Sequence, residues 1–294
     1  MYDIIIIGAG PAGLTAAIYA ARSGKSVLVY EKEGIGGQIA FSPRVENYPG
    51  IRSVSGSEFA DNLYEQALSF GVDIELETVI GIETNGDIKT VLTESGKEQC
   101  KKIIIATGVQ HKKLGLPEED DYVGRGVSYC AVCDGAFFKN SDVAVVGGGN
   151  AALRSAQMLS GICSKVYLIH RRNEFRGEKM IVDELSSLAN VEFVLDSVVS
   201  SIKGDDDLSA VEIENKITGV HTTLDVSALF VCVGQVPSNE AFKDIISLDE
   251  NGYIIAGEDC KTNIDGIFAV GDCRTKTVRQ LTTAAADGAV AALA

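Results

Sequence analysis

An α/β fold with two Rossmann-like nucleotide-binding domains follows from three features of the sequence. A continuous β-branched run, Ile4–Ile7, opens directly onto the glycine turn Gly8-Ala9-Gly10-Pro11-Ala12-Gly13. The same grammar returns far along the chain, where Val143–Val146 runs into Gly147-Gly148-Gly149-Asn150-Ala151-Ala152. Strand-rich segments follow each opening. One such opening can be a coincidence. Two in a chain of 294 residues, long enough for two domains that each bury a core, specify two nucleotide-binding units.

The composition narrows the class. Hydrophobic residues make up 46% and charged residues 23%, the proportions of a globular chain rather than a disordered or membrane one. The formal net charge of −15 repels phosphate backbones and anionic lipid, so nucleic acid and membrane are disfavoured as partners. No stretch approaches the roughly 20 apolar residues of a membrane span. The apolar start lacks a basic flank and is too short for a signal peptide, so it reads as a first strand and the expected location is cytoplasmic. Seven cysteines, an odd and scattered set, do not resemble a secreted disulfide framework. Only Cys130 and Cys133 are close in sequence; the other five read as small buried hydrophobes.

The elements follow in order. Ile4–Ile7 is a strand buried on both faces. Pro11 sits in a first helical turn, which tolerates it, and Ala16, Ala17, Ala20 and Ala21 continue at helical spacing. Ser26–Tyr30 is the next strand, ending at Glu31, which completes a βαβ unit. Strands are expected over 73–83, 88–92 and 102–106. The second unit repeats the pattern with a strand at 143–146, a helix over 150–159 and a strand at 165–169. The segment 198–233 is again strand-rich, and the acidic run 205–207 is a solvated turn. Lys112–Pro117 and Gly234–Pro237 read as crossings between domains, and the last segment, 267–294, ends in an Ala-rich helix.

Three motifs carry chemistry. In the first glycine turn, Gly8, Gly10 and Gly13 allow a tight bend and close approach of backbone to a pyrophosphate. The helix start at Pro11 and Ala12 then offers free N–H groups and a positive dipole end. Glu31, at the end of the following strand, is placed to accept ribose hydroxyls. The second turn, with Gly147, Gly149, Asn150 and Ala151, has no acid at its strand end. It has His170-Arg171-Arg172-Asn173-Glu174-Phe175-Arg176 instead. Arginines there suit a 2′-phosphate and point to NADP rather than NAD; the bland alternative is a solvated basic turn. The third motif is Cys130-Ala131-Val132-Cys133-Asp134. A CxxC pair is redox-active or half of a metal site. Zinc needs further ligands, and no other CxxC or HxxxH exists, so no metal is expected and the pair reads as redox-active. Exchange proceeds through a thiolate, which a helix start or a nearby cation favours, and Asp134 could move the proton. Together the motifs describe an electron path from nicotinamide through a flavin to a dithiol.

On these residues the sequence resembles the low-molecular-weight, bacterial-type thioredoxin reductases over essentially its whole length. Further segments carry the resemblance. Gly36-Gly37-Gln38 and Glu46-Asn47-Tyr48-Pro49-Gly50 resemble flavin-cradling loops, and Ala106-Thr107-Gly108 resembles the strand end that closes the first domain. Gly271-Asp272, Arg279-Gln280 and Thr283–Gly288, with Ala284, resemble the C-terminal flavin motif. The resemblance implies three-layer ββα domains, the second inserted into the first: residues 1–112 and 241–294 binding FAD, and 113–240 binding NADPH and carrying the CxxC pair. It implies Cys133 as the thiol nearest the flavin, Cys130 as the interchange thiol that attacks thioredoxin, and Asp134 as acid/base. It further implies Asp272 on the ribityl chain, thioredoxin as partner, a homodimer, and two alternating domain orientations.

The chain departs from the family in places. Ala151 replaces a usual Ser or Thr, and Arg154 and Ser155 replace a usual Glu-Glu pair, which removes acceptors near the nucleotide and adds a charge. The chain also stops at Ala294, within a helix the family normally extends. Alternatives keep the flavin and dithiol but change the donor to ferredoxin, or change the acceptor to a peroxiredoxin system or to oxygen, as in a small-molecule dithiol oxidase. Relatives using ferredoxin have lost their NADPH motifs, whereas His170–Arg176 is intact here. The peroxiredoxin-system reductases carry an extra N-terminal segment, whereas this chain starts at the FAD strand. A non-catalytic nucleotide sensor is the reading from another class. His111 and His221 are expected at solvated positions without a role.

Overall fold

The computed structural model describes residues 1–294. In chain order the first part comprises β1 (Tyr2–Ile7), α1 (Pro11–Arg22), β2 (Val27–Glu31), α2 (Gly56–Ser69), β3 (Asp73–Leu76), β4 (Val79–Asn85), β5 (Ile88–Thr93), β6 (Lys97–Ile105) and β7 (Val109–His111). The middle comprises β8 (Val127–Ser128), α3 (Ala131–Asp134), β9 (Asp142–Val146), α4 (Asn150–Ser160), β10 (Lys165–Ile169), α5 (Lys179–Ser186), β11 (Val191–Val194), β12 (Ser197–Gly204), β13 (Leu208–Asn215), β14 (His221–Asp225) and β15 (Ala228–Val231). The chain ends with β16 (Gln235–Pro237), β17 (Ile267–Ala269) and α6 (Leu281–Leu293). Two compact units result: Met1–Gln110 with Val236–Ala294, and His111–Gln235.

In the discontinuous unit, the sheet runs β3-β2-β1-β6-β5-β4, with β17 also on β6. β6 serves two purposes. Its first half pairs antiparallel with β5, and its second half pairs parallel with β17 through Ile103–Ile105. Both faces of β1 are covered over Ile4–Ile7, which is why that stretch reads as unbroken isoleucine. Ile4 and Ile6 pack with α1 and α6 through Leu14, Ala17 and Ala291, while Ile5 and Ile7 pack the other way with Ile82, Val91 and Phe242. Burying each isoleucine contributes about 1.5–3 kcal/mol before entropy is charged. The strand therefore holds the following glycine turn on a rigid base.

In the inserted unit, five strands in the order β11-β10-β9-β15-β8 form a wholly parallel sheet. One face packs with α4 and α5 through Leu153, Leu159, Ile181 and Leu185. The other meets the antiparallel sheet β12-β13-β14 through Val199, Ile202, Val211 and Ile213. This is a three-layer ββα arrangement. No helix of the chain is long and apolar enough to cross a membrane.

Candidate active site

The first glycine turn joins β1 to α1. Gly8 has φ +111°, and a Cβ there would lie 2.4 Å from the Ala106 carbonyl oxygen, so the neighbouring strand end demands glycine. A Cβ on Gly13 would lie 1.9 Å from the Gly8 oxygen. Gly10 differs: nothing of the protein comes nearer than 4.0 Å to where its Cβ would be, so that glycine leaves open space. α1 begins there with Pro11 at its first turn and no side-chain cap, which leaves its first N–H groups for an anion. Glu31 grips the turn itself. Its Oε2 accepts the Ala9 N–H at 2.8 Å and its Oε1 accepts the Glu33 N–H at 3.0 Å, and each oxygen keeps a further lone pair.

The C-terminal motif lies in the same unit. Asp272 sits in the short turn Gly271–Cys273 with Oδ1 buried and without a hydrogen-bond partner. Burial pushes its carboxyl up, against a downward pull from Lys276 and Arg279. Arg279 donates to the Asp272 carbonyl at 3.3 Å and lies over the Tyr253 ring at 4.3 Å. Asn47 and Gln280, from opposite ends of the sequence, meet through a 3.3 Å hydrogen bond, and Gln280 caps α6 in a reciprocal pairing with Thr283. Gly37 and Gly108 both adopt positive φ, Gln38 is exposed, and Ala284 is buried on α6.

Two supports in this unit escaped the sequence reading. Asn239 is buried; it accepts from the Thr107 hydroxyl at 2.9 Å and donates to the carbonyls of Gly252 and Cys273 at 2.9 Å each. Asp287, in the middle of α6, accepts from Gly271 N–H at 2.9 Å, twice from the buried Arg274 at 2.8 and 2.9 Å, and from Lys276 at 2.8 Å. Burial would raise the Asp287 carboxyl, but the hydrogen bonds from Arg274 and Lys276 win and hold it below the usual range. A charge inside the apolar Ala-rich helix was the available signal for it.

In the inserted unit, the second turn repeats the glycine roles. A Cβ on Gly147 would lie 2.4 Å from the Cys232 carbonyl oxygen, whereas one on Gly149 would meet nothing within 4 Å. α4 starts at Asn150 without a side-chain cap, with Ala151 exposed in its first turn. The arginine loop is tied to this turn from several sides. The Arg176 N–H donates to the Gly148 carbonyl at 2.7 Å. Asn150 and Glu178 exchange hydrogen bonds at 2.7 and 3.1 Å, and Arg154 donates to Glu178 at 3.1 Å. The charge that Arg154 adds is thus met by Glu178, in an exposed pair worth at most about 1 kcal/mol. Arg171, Arg172 and Arg176 are exposed. His170 is buried behind the turn: its Nε2 meets the Glu174 carbonyl at 3.1 Å and its ring stacks on Phe175. Burial lowers its pKa, reinforced by the neighbouring arginines against the Glu174 bond. His170 therefore shapes the turn from beneath.

Cys130 and Cys133 form a disulfide across the single turn α3, their Cα atoms 5.3 Å apart. Cys130 caps that turn, its sulfur accepting the Cys133 N–H at 3.2 Å. Asp134 follows with Oδ1 buried and unpartnered, while Oδ2 accepts the Ser128 hydroxyl at 2.6 Å. Burial raises the Asp134 carboxyl, and the Ser128 bond pulls it partly back. The other five cysteines are free thiols; Cys100, Cys163, Cys260 and Cys273 are buried and Cys232 half-buried. His221 is exposed beside Glu212, as expected. His111 is not solvated as expected. It is half-buried, stacked on Tyr129 at 5.0 Å, and burial lowers its pKa. A ring at the entry to the inserted unit has found an aromatic partner that sequence spacing could not show.

Two glycine turns at strand–helix junctions and a paired CxxC suggest one family, and comparison with known proteins settles which. The sequence model described as pyridine nucleotide-disulphide oxidoreductase matches residues 2–288. The chain belongs to that family. As a pyridine nucleotide-disulphide oxidoreductase it is an enzyme acting on a sulfur group, and it is similar to bacterial-type thioredoxin reductases over its full length. The thioredoxin reductase of Mycolicibacterium smegmatis is 40% identical over 295 residues, covering 100% of this chain and 95% of that protein. A Clostridium pasteurianum protein described as a 34.2 kDa protein in the rubredoxin operon is 42% identical, covering 99% and 95%. The crystal structure of thioredoxin reductase from Streptococcus pyogenes is 46% identical with a TM-score of 0.97, covering 100% and 96%.

Proposed function

We propose that the enzyme passes electrons from NADPH through FAD and the Cys130–Cys133 pair to the disulfide of thioredoxin. The observation that carries the reading is the pairing of Cys130 with Cys133 beside a buried, half-satisfied Asp134, in a unit that also holds the arginine-flanked phosphate turn. The residues fit both nucleotides. For FAD, the uncapped start of α1 and the open space over Gly10 receive the pyrophosphate, Glu31 keeps acceptor sites for ribose hydroxyls, and the orphaned Asp272 Oδ1 awaits a hydroxyl donor. For NADPH, the uncapped start of α4 and the space over Gly149 receive the pyrophosphate, and Arg171, Arg172 and Arg176 meet the 2′-phosphate. Gly37, Gln38, Asn47, Thr107, Gly108, Gly147, Asn150, Gly271, Arg279, Gln280 and Ala284 complete the two sites.

FAD, when bound, supplies the two-electron relay between the nicotinamide and the dithiol. This chain's part is the thiol chemistry. Once the pair is reduced, the Cys130 thiolate attacks a sulfur of the thioredoxin disulfide, forming a mixed disulfide and releasing one thioredoxin thiolate. Cys133 then attacks the Cys130 sulfur, which frees the second thiolate and restores the Cys130–Cys133 bond. Asp134 holds and moves the proton at these sulfurs. The M. smegmatis and S. pyogenes relatives bear the name thioredoxin reductase, and a Mycobacterium leprae relative is named as a bifunctional thioredoxin reductase/thioredoxin. We place the enzyme in the cytoplasm, where five free thiols beside one redox pair persist, and expect it to act as a homodimer. The test is NADPH oxidation with oxidised thioredoxin as acceptor. The parent turns over, and the Cys130→Ser and Cys133→Ser variants keep their flavin and lose turnover. Turnover retained without the cysteines would refute the reading.

A further inference from the structure

The Ser128 hydroxyl is buried at the end of β8 and has a single proton. Its oxygen accepts the Cys130 N–H at 3.1 Å, which fixes one side of the oxygen to the redox turn. The proton faces two acceptors: Asp134 Oδ2 at 2.6 Å and the Cys130 carbonyl at 3.4 Å. The carboxylate is both nearer and charged, so it takes the proton. The Asp134 N–H in turn donates to the Cys130 carbonyl at 3.1 Å, closing a ring of bonds around the disulfide turn. The two oxygens of one carboxyl are thereby made unequal. Oδ2 is held, and Oδ1 is buried with no partner at all. A buried oxygen without a partner is costly when charged and is the natural seat of a proton.

We propose that Ser128 is a positioning residue that pins Asp134 through Oδ2 and so dedicates Oδ1 to carrying the proton to and from the Cys130–Cys133 sulfurs. This deepens the acid/base reading of Asp134 and rests on it. Protonated at Oδ1, Asp134 keeps its Oδ2 bond to Ser128 and can give its proton to a thiolate, leaving a thiol and a carboxylate. Taking a proton back from the second thiol restores the acid, and the one further proton that hydride reduction of a disulfide to two thiols consumes in each turnover comes from solvent. The Ser128 hydroxyl bonds the ionised form best, so removing it favours the protonated acid.

The test uses the full-length, flavin-loaded enzyme and its Ser128→Ala, Ser128→Thr and Asp134→Asn variants. The Asp134 carboxyl is titrated by NMR on isotope-labelled aspartate, its signal identified by its loss in Asp134→Asn. The pH profile of turnover with a small aromatic disulfide is recorded alongside. Ser128→Ala raises the carboxyl midpoint by about one pH unit, the scale of one hydrogen bond to a charged group, and moves the corresponding limb of the profile with it. Ser128→Thr, which keeps the hydroxyl, restores the parent midpoint. A Ser128→Ala midpoint equal to the parent's overturns the proposal, as does a Ser128→Thr midpoint equal to that of Ser128→Ala. Asp134→Asn separates the two layers. If it abolishes the limb while Ser128→Ala leaves the limb in place, only the role of Ser128 fails. If it leaves rate and profile as in the parent, the acid/base reading fails.

Discussion

Replacing Gly148 by alanine should weaken NADPH binding by a clash behind the turn rather than by removing a nucleotide-binding side chain. The added Cβ would lie 2.0 Å from the His170 Cε1, 1.4 Å inside the 3.4 Å limit of ordinary contact. The ring has nowhere to go. It is 5% exposed, held through Nε2 by the Glu174 carbonyl, and stacked on Phe175, which packs on Phe193. Either the turn opens or the segment 170–176, with its three arginines, is displaced. Overpacking of this kind costs about 1–3 kcal/mol. Expressed at the nucleotide site, that is a loss of about 5- to 150-fold in affinity. Calorimetric titration with NADP+, which binds without turning over, measures it, with flavin content as the control. Removing the ring as well, in Gly148→Ala/His170→Ala, should recover part of the loss, because the two sites are in contact and their effects do not add. A Gly148→Ala variant that binds NADP+ within twofold of the parent would refute the claim that His170 shapes the turn from beneath.

Other perturbations give equally definite outcomes. Arg176→Ala and Arg172→Ala should each raise the KM for NADPH by about 10- to 100-fold, the cost of a charged hydrogen bond, and leave the KM for NADH unchanged. Asp272→Ala should lower FAD affinity by about tenfold or more, read as the flavin-to-protein ratio after gel filtration. The Asp134 carboxyl has its pKa raised by burial, so the folded state binds its proton more tightly than the unfolded state does. Stability therefore falls as pH rises from the ordinary Asp range through the raised value. Asp134→Asn should melt higher than the parent at neutral pH, with the difference closing in acid, as followed by calorimetry.

The two glycine turns were legible because their glycines answer to tight backbone geometry. Gly8, Gly13 and Gly147 are demanded by neighbouring carbonyls, and Gly10 and Gly149 by the space they leave. β1 and β9 were legible because burial on both faces makes their last four residues apolar without a break. Helix α2 was not read, although Ser55 and Glu58 announce its start and the Ser55 hydroxyl does cap the Glu58 N–H at 3.1 Å. Its apolar residues also recur at helical spacing, so both the cap and the period were there to be read. Asn239 and Glu178 were out of reach for another reason. Each acts by joining groups from distant parts of the sequence, as when Asn239 ties Thr107 to Cys273 and Glu178 meets Asn150 and Arg154. Nothing in a single sequence marks such pairings, and short polar side chains are common on loops where they do nothing. His170 shows what a motif alone leaves out, since packing buries its ring against the Gly148 turn.

The central claim is an electron path that begins at NADPH and runs through a bound flavin. An anaerobic titration of the purified enzyme with NADPH, watching the visible flavin band, tests it most directly. The account predicts bleaching by NADPH and far less by NADH at equal concentration, because only the former carries the 2′-phosphate that the three arginines can bind. A flavin that dithionite bleaches and NADPH leaves intact would contradict it, and would mean that NADPH is not the electron donor.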